Sequence, residues 1–269
     1  MIKQVRPYVL TSEVEMALRP GDSFRECLKD CPEMIVRPSG SFTVGSPITE
    51  KNRTRWEGPQ HTVTISKPLA VSKYVLTFAD WDACVSFGNC DPNIVDSGFG
   101  RGRQPVINIT WNDATLYLNW LSQMTGKSYR LLSDAEYEFA ARAGTQTVFP
   151  WVDELGHNNA NCDGCGSPWD NKQPAPVGSF PPNRFGLYEM VGNVWQWVED
   201  CWHNSFEGAT ADGSPWIADG NCIYRVDRGA GWSGSPEIPR AALRDRDSLG
   251  TRGPNIGFRV ARQLNDGNQ

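Results

Sequence analysis

The chain has 269 residues, of which 39% are hydrophobic and 21% charged, and its formal net charge is −5. This composition predicts a packed core and excludes an intrinsically disordered protein. The negative charge gives no support for binding to nucleic acid or to an anionic membrane, because both need clustered Lys and Arg side chains. No stretch approaches the roughly 18–20 apolar residues of a membrane span, so we expect none.

The first predicted segment is an irregular lead-in or linker over residues 1–32, and a single domain follows over residues 33–269. Residues 1–20 contain no apolar core of the length that a secretory signal requires. We predict strands over residues 34–44 and 61–66. The second of these alternates with a period of two and is rich in β-branched residues, which favour strands. Residues 45–60 form a polar loop between them.

Three helix starts share one pattern, a hydroxyl residue followed three positions later by an acid. The pairs are Thr77 with Asp80, Thr110 with Asp113, and Ser133 with Glu136. The hydroxyl can accept a free N–H group of the first turn, and the acid suits the positive end of the helix dipole. We expect the second helix to end at residue 125, before Gly126, and the third near residue 144. The remainder lacks helical periodicity.

The eight cysteines fall into four pairs that are close in sequence: Cys27/Cys31, Cys84/Cys90, Cys162/Cys165 and Cys201/Cys222. Such pairs are typical of short disulfide loops in an oxidising compartment, which favours a periplasmic or secreted protein. Two alternatives stay open. The thiols are reduced in a cytoplasmic protein if Met1 is the natural start, or the single CxxC at residues 162–165 binds zinc with His157 nearby.

Several strings of the sequence, taken in order, resemble those of the formylglycine-generating enzyme family, also called sulfatase-modifying factors. They are GSFTVGS (40–46), EGPQH (57–61), PVINITW (105–111), RLLSDAEYEFAAR (130–142), NRFGLYEMVGNVWQW (183–197), RVDRGAGW (225–232) and GFR (257–259). The resemblance covers about residues 33–262. It implies an α+β, C-type-lectin-like fold with little regular secondary structure, about three helices and short antiparallel strands.

Two arginines within these strings, Arg142 and Arg259, lie among apolar residues. We therefore expect buried cations paired with carboxylates, for which Glu136, Glu138 and Asp200 are candidates. The histidines His61, His157 and His203 are widely spaced, which disfavours an iron site, and we expect each to be an ordinary hydrogen-bonded residue. No nucleophile elbow or phosphate-binding glycine loop is present.

The resemblance also implies structural calcium bound by loop oxygens, the ligands that calcium prefers. The matching positions form a first set, Asn161, Cys162, Asp170 and Lys172, and a second set, Glu189, Gly192, Val194 and Gln196. The first set uses main-chain oxygens of its Cys and Lys, and the second uses three carbonyls and the Gln196 side chain. Because the family usually has Glu in place of Gln196, we expect weaker binding there. The alternative is loops held by hydrogen bonds alone.

Family enzymes oxidise a substrate cysteine with oxygen and copper(I), which two cysteines after an Arg-Gly-Gly-Ser motif hold as soft thiolates. The matching segment here is RGAGWSGSPEIPR (228–240), with Gly231 in place of the serine. Cys222 is the last cysteine of the chain, so residues 225–269 supply no thiolate. We therefore expect no copper at this site and no formylglycine-generating activity.

Acids and arginines interleave around the same segment. The acids are Asp227, Glu237, Asp245 and Asp247, and the arginines are Arg228, Arg240, Arg244, Arg246 and Arg252. One interpretation is a salt-bridged surface that supports the terminal strands. The other is a polar ligand-binding site formed by Trp232, Ser233, Ser235, Glu237, Asp245 and Asp247.

Three functional hypotheses follow. The first is a non-catalytic, calcium-stabilised module that presents residues 232–255 on a rigid frame to an unknown protein, peptide or small molecule. The second is an oxidoreductase of altered chemistry, resembling the periplasmic family member that matures the siderophore pyoverdine. The third is an accessory domain of a longer protein, with residues 1–32 as its linker.

Overall fold

The computed structural model describes residues 8–27 and 31–264, and its elements are short and joined by long loops. The helices are α1 (Ser12–Ala17), α2 (Phe78–Ser86), α3 (Trp111–Thr125) and α4 (Asp134–Arg142). The strands are β1 (Ser23–Phe24), β2 (Met34–Arg37), β3 (Gly40–Val44), β4 (His61–Ile65), β5 (Leu69–Ser72), β6 (Tyr129–Arg130), β7 (Trp195–Trp202), β8 (Asn221–Arg228), β9 (Arg244–Ser248), β10 (Ile256–Phe258) and β11 (Ala261–Gln263).

The strands form three sheets. One has the order β1-β2-β5-β11-β6, the second has the order β10-β7-β8-β9, and β3 pairs with β4 alone. Only the pairing of β10 with β7 is parallel among these ladders. The α+β class with short, mostly antiparallel strands is therefore confirmed. The strand predicted over residues 34–44 is two strands in different sheets, because Pro38 between them has no N–H group for a ladder.

The hydroxyl–acid pattern identified three helix starts correctly. At Thr77, Thr110 and Ser133 the hydroxyl accepts the N–H of the third helical residue, and the acid side chain accepts the N–H of the capping residue. α3 ends before Gly126, which adopts a φ of 69°, as predicted. α4 ends at Arg142, slightly earlier than predicted, and Ala143 adopts the left-handed conformation instead of a glycine.

The main core packs α2 and α3 against both larger sheets. Trp81 of α2 stacks on Tyr117 of α3 with ring centroids 6.1 Å apart, and Tyr117 meets Phe258 of β10 edge-on at 5.7 Å. Trp197 of β7 is buried and donates its indole N–H to the Ile109 carbonyl at 3.2 Å. These contacts fix β7 and β10 beside the start of α3. No helix in residues 8–27 or 31–264 is long and apolar enough to cross a membrane.

The predicted lead-in contains regular structure where it is described. It includes α1, and its strand β1 pairs antiparallel with β2. Two buried acids, Glu15 and Glu26, flank the guanidinium of Arg262 on β11, at 2.9 Å from Nη1 and 3.1 Å from Nε respectively. Local sequence patterns could not reveal this regular structure, because its ion pairs join residues that are far apart in the sequence. The division at residue 32 stays a prediction.

The ion pair of Glu26 with Arg262 should stabilise the fold, because its loss leaves a buried cation poorly compensated. We predict that Glu26→Ala lowers the free energy of unfolding by about 3 kcal/mol in urea denaturation. The control is Glu33→Ala, whose partners Arg25 and Lys73 are partly exposed, and which should cost less than about 1 kcal/mol. Equal losses in the two variants would contradict a structural role for the lead-in.

Candidate functional site

A buried ionic network lies behind the matched motif segment. Arg228 at the end of β8 contacts two acids of α4, with Nε 3.1 Å from Asp134 Oδ1 and Nη2 2.7 Å from Glu138 Oε2. Arg244 of β9 contacts the other oxygen of Asp134 at 2.8 Å, and Arg142 contacts Glu138 at 2.9 Å. All five side chains are buried. The expected pairing of Arg142 with Glu138 is confirmed, and the network joins α4 to both strands.

Strand alternation separates the arginines of β9 from its aspartates, because successive side chains point to opposite faces of a sheet. Arg244 and Arg246 occupy one face, where both guanidinium groups lie over the Trp202 ring, at 4.8 and 4.9 Å from its centroid. Asp245 and Asp247 therefore occupy the other face. The arginines and aspartates of β9 alternate along the sequence, but in the folded strand they lie on opposite faces of the sheet.

The remaining arginines of the interleaved group also bind distant acids. Arg240 contacts Glu50 and Glu57, each at 2.6 Å. Arg252 contacts Asp113 at the start of α3 at 3.0 Å. In the part of the chain that the structure describes, none of the five arginines forms an ion pair with Asp227, Glu237, Asp245 or Asp247. The salt bridges of these arginines thus connect the terminal strands and their loops to distant acids rather than to the four acids that alternate with them in sequence.

Asp227 is a buried carboxylate on the same sheet face as Asp245. It lies directly opposite Asp245 of β9 and Trp197 of β7 in the strand register. Only 2% of the residue is exposed, and its Oδ2 atom has no hydrogen-bond partner among the described residues. Burial, followed by repulsion from Asp245 and Asp247, raises the pKa of Asp227 well above its usual range. Sequence patterns offered no reason to include Asp227 in the binding site, because its position opposite Asp245 depends on the register between β8 and β9.

The predicted binding residues of the loop form a second, separate group. Trp232 donates its main-chain N–H to Asn193 at 2.8 Å and its indole N–H to Pro254 at 3.0 Å. Ser233, Ser235 and Glu237 are exposed, and the Ser235 hydroxyl lowers the pKa of Glu237. No hydrogen bond or ion pair between described residues joins this loop to Asp245 or Asp247. Two clefts, of about 190 and 250 Å³, open elsewhere.

Comparisons with known proteins identify the family of the chain. The model of the sulfatase-modifying factor enzyme 1-like domain matches residues 20–264. The chain belongs to this family. The structure of PvdO from Pseudomonas aeruginosa is similar at 40% identity, covering 92% of this chain and 100% of that one with a TM-score of 0.82.

Two curated mouse proteins are also similar. The inactive C-alpha-formylglycine-generating enzyme 2 is 30% identical over 86% of this chain and 85% of its own length. The formylglycine-generating enzyme is 34% identical over 60% of this chain, and the match spans only 45% of its length.

All eight cysteines of this family member form disulfides, in the four pairs expected from sequence. The interpretations as reduced thiols and as zinc ligands are therefore wrong, since Cys162 and Cys165 are bonded to each other. Cys222, the last cysteine, is bonded to Cys201. No thiolate is thus available to the segment that matches the copper-binding loop.

The first calcium set lies in a loop closed by the Cys162–Cys165 disulfide. Asp170 accepts the N–H groups of Gly164 and Gly166 at 2.7 and 2.6 Å. The side-chain oxygen of Asn161 accepts the Ser167 hydroxyl at 2.7 Å, and the Lys172 N–H donates to Trp169. The side-chain oxygens of Asn161 and Asp170 each keep a second lone pair, which could coordinate a metal ion. These oxygens therefore fit a hard cation such as calcium.

The second calcium set does not fit a cation. The Gln196 amide donates its Nε2–H to the Glu189 carbonyl at 3.0 Å, and its oxygen accepts Arg259 Nε at 2.7 Å. The Gly192 carbonyl accepts the Val194 N–H at 3.1 Å. The amide donor thus points at an oxygen that would ligate the ion, and a guanidinium lies beside it. The Glu189 carboxylate accepts the Gly178 N–H, and burial raises its pKa to about 7.

Within residues 8–27 and 31–264, no carboxylate forms the ion pair that was predicted for Arg259. Besides Gln196, it donates to the carbonyls of Ser72, Lys73 and Tyr188, and burial lowers its pKa to about 10. The other two candidate acids are engaged by other groups. Glu136 binds Arg130, and Asp200 accepts the N–H groups of Asp134 and Trp216.

His61 and His203 lie apart from these sites and form ordinary hydrogen bonds, whereas the ring of His157 lies against Gly166 in the loop of the first calcium set. His61 contacts the Pro59 carbonyl, whereas His203 lies between the carbonyls of Cys201 and Ala218. Among the described residues, no group of three His, Cys, Asp or Glu side chains is arranged to hold a metal ion.

The ionised Asp227 carboxylate should destabilise the fold. A carboxyl group whose pKa is raised by folding binds its proton more tightly in the folded state, so stability falls as the pH rises above about 4. We predict that Asp227→Asn raises the free energy of unfolding by about 1 kcal/mol at pH 7 and that the gain disappears at acidic pH. Urea denaturation across pH 4–8 measures this, with the exposed Asp219→Asn as control. Destabilisation at pH 7 would contradict the absence of a structural partner.

Proposed function

We propose that this chain is a ligand-recognition domain that keeps the frame of the formylglycine-generating enzyme family without its activity. One observation carries the proposal. Arg228 and Arg244 beside the motif are engaged by acids of α4, whereas Asp227, Asp245 and Asp247, on one face of the four-stranded sheet, form no ion pair among the described residues. A rigid frame with unsatisfied polar groups at one surface is suited to binding.

The chemistry of the cysteines supports the same proposal. The copper(I) site of the family is formed by two soft thiolates, and a cysteine in a disulfide cannot supply one. Four disulfides also favour an oxidising compartment, such as the periplasm or the outside of the cell. The partner on this proposal is a protein, peptide or small molecule that binds along residues 232–255 and the adjoining face of β8 and β9.

Calcium is part of the proposal only at the first set. Asn161 and Asp170 offer oxygens beside a disulfide-closed loop, and main-chain oxygens of Cys162 and Lys172 would complete the set. The bound ion would neutralise Asp170 and hold the loop in one conformation. At the second set, the Gln196 amide donates its N–H to the Glu189 carbonyl, an oxygen that would otherwise bind the ion.

A second candidate is an oxidoreductase role like that of the pyoverdine-maturing family member. The similarity to PvdO favours it, because the match covers 100% of that chain at 40% identity. On this candidate the same acidic face would bind the substrate, and an external oxidant would be needed. The two candidates differ in whether the bound molecule is changed.

Metal analysis of the purified protein tests the first proposal directly. We expect calcium and no stoichiometric copper or iron, because the chain offers hard oxygen ligands and no thiolate. Inductively coupled plasma mass spectrometry after metal-free gel filtration measures all three. Copper or iron near one atom per chain would overturn the recognition proposal in favour of altered redox chemistry.

Calcium should stabilise the folded protein through the first set alone. At a hundredfold excess over its Kd, a ligand of the folded state contributes about 2.7 kcal/mol, which is visible as a rise in Tm. We predict that Asp170→Asn abolishes this rise, whereas Gln196→Ala, although it lowers the starting Tm, retains it. Differential scanning fluorimetry with calcium or with chelator measures both. Loss of the response in Gln196→Ala would contradict the assignment to one site.

A further inference from the structure

The acidic face of the four-stranded sheet consists of Asp227 on β8 and of Asp245 and Asp247 on β9. Asp227 and Asp245 are directly opposite each other in an antiparallel ladder, so their side chains point to the same face. Asp247 follows Asp245 by two residues and shares that face. Like charges placed opposite each other destabilise a sheet, so this arrangement has a cost that the fold itself does not recover.

Asp227 is the observation that points to a ligand. It is buried to all but 2% of its surface, and its Oδ2 atom accepts no hydrogen bond from any residue that the structure describes. Buried carboxylates in native proteins are normally paired or hydrogen-bonded, because an unpaired one loses its hydration without compensation. Asp245 is exposed and Asp247 half-buried, so the face opens to solvent along β9, the edge strand of the sheet.

The cations of the neighbourhood are all engaged elsewhere. Arg228 follows Asp227 but points to the opposite face, where it binds Asp134 and Glu138. Arg225 shares the face of Asp227, and its guanidinium lies 4.2 Å from the Trp111 ring centroid and donates to the Glu199 carbonyl. Arg252 contacts Asp113. No described cation is therefore left to neutralise the three aspartates.

Tryptophan rings border the same face. Trp197 lies directly opposite Asp227, and Trp195 precedes it by two residues, so both rings point to the side of Asp227. Trp195 is half-buried and packs at the margin of the core. Carboxylates bordered by tryptophan rings are suited to organic cations, which gain both charge pairing and cation–π contact. Arg225 over Trp111 shows this combination within the chain.

We propose that this face binds an organic cation, a guanidinium or ammonium group, with Asp227 as its anchor and Asp245 and Asp247 at its entrance. The inference rests on the proposed recognition function and names the chemistry of the ligand. The group could belong to a free amine or to an Arg or Lys side chain of a peptide. A bare metal ion fits less well, because no three acidic, His or Cys side chains of the described residues are arranged around one.

Isothermal titration calorimetry with agmatine, which carries both cationic groups, tests the inference. Its neutral counterpart is N-butylurea, which has a urea in place of the guanidinium and no amine, and a capped Gly-Arg-Gly peptide separates a side chain from a free amine. We expect saturable binding of agmatine, the peptide or both, and at least about tenfold weaker binding by Asp227→Asn. Asp219→Asn, which removes one exposed negative charge elsewhere, should bind like the unaltered protein.

Three outcomes would overturn the inference. They are absence of binding by both cationic probes, equal binding of agmatine by Asp227→Asn, and equal weakening by Asp219→Asn, which would indicate net charge alone. A retained or raised Tm of Asp227→Asn excludes misfolding as the cause of weaker binding. None of these outcomes bears on the recognition function itself, which stoichiometric copper or iron would overturn independently.

Discussion

The rest of the structure depends on the buried pairing of Arg228 and Arg244 with the acids of α4. Asp134 and Glu138 lie one helical turn apart, so one face of α4 meets both strands. Glu138 also accepts the N–H of Gly45, whose carbonyl accepts from Arg142. Buried charges are costly unless paired and hydrogen-bonded, so this network specifies one arrangement of α4, β8, β9 and the loop after β3.

This network also determines what the opposite face of the sheet can do. Because Arg228 of β8 and Arg244 of β9 contact the acids of α4, alternation sends Asp227, Asp245 and Asp247 to the other side. Among the described residues, these two arginines are thus paired inside the frame, whereas the three aspartates form no ion pair with an arginine. The proposed loss of copper chemistry and the acidic face therefore concern neighbouring parts of the fold. The same segment that lacks thiolates borders a surface whose charge the protein does not neutralise.

Much of the fold could be predicted from sequence, because capping residues act locally and the family motifs are long. The three capped helices, the four disulfides and the pairing of Arg142 with Glu138 are confirmed. Ion pairs between distant segments could not be predicted, as with Glu26 and Arg262, or Arg240 and Glu57. The acids and arginines that alternate along residues 227–252 indicated salt bridges on this surface. In the structure, the face of the strand on which each side chain lies decides which partner it contacts. Asp227 was missed for that reason.

The most direct test of this account is the ionisation of Asp227 itself. Carbon-13 NMR of the aspartate carboxyl groups, assigned with Asp227→Asn, follows each group from pH 3 to pH 9. The account predicts that the pKa of Asp227 lies above the usual aspartate range and falls when agmatine is added. A pKa of Asp227 at or below the usual aspartate range in the unbound protein would show that a cation already pairs with it, which would contradict the account.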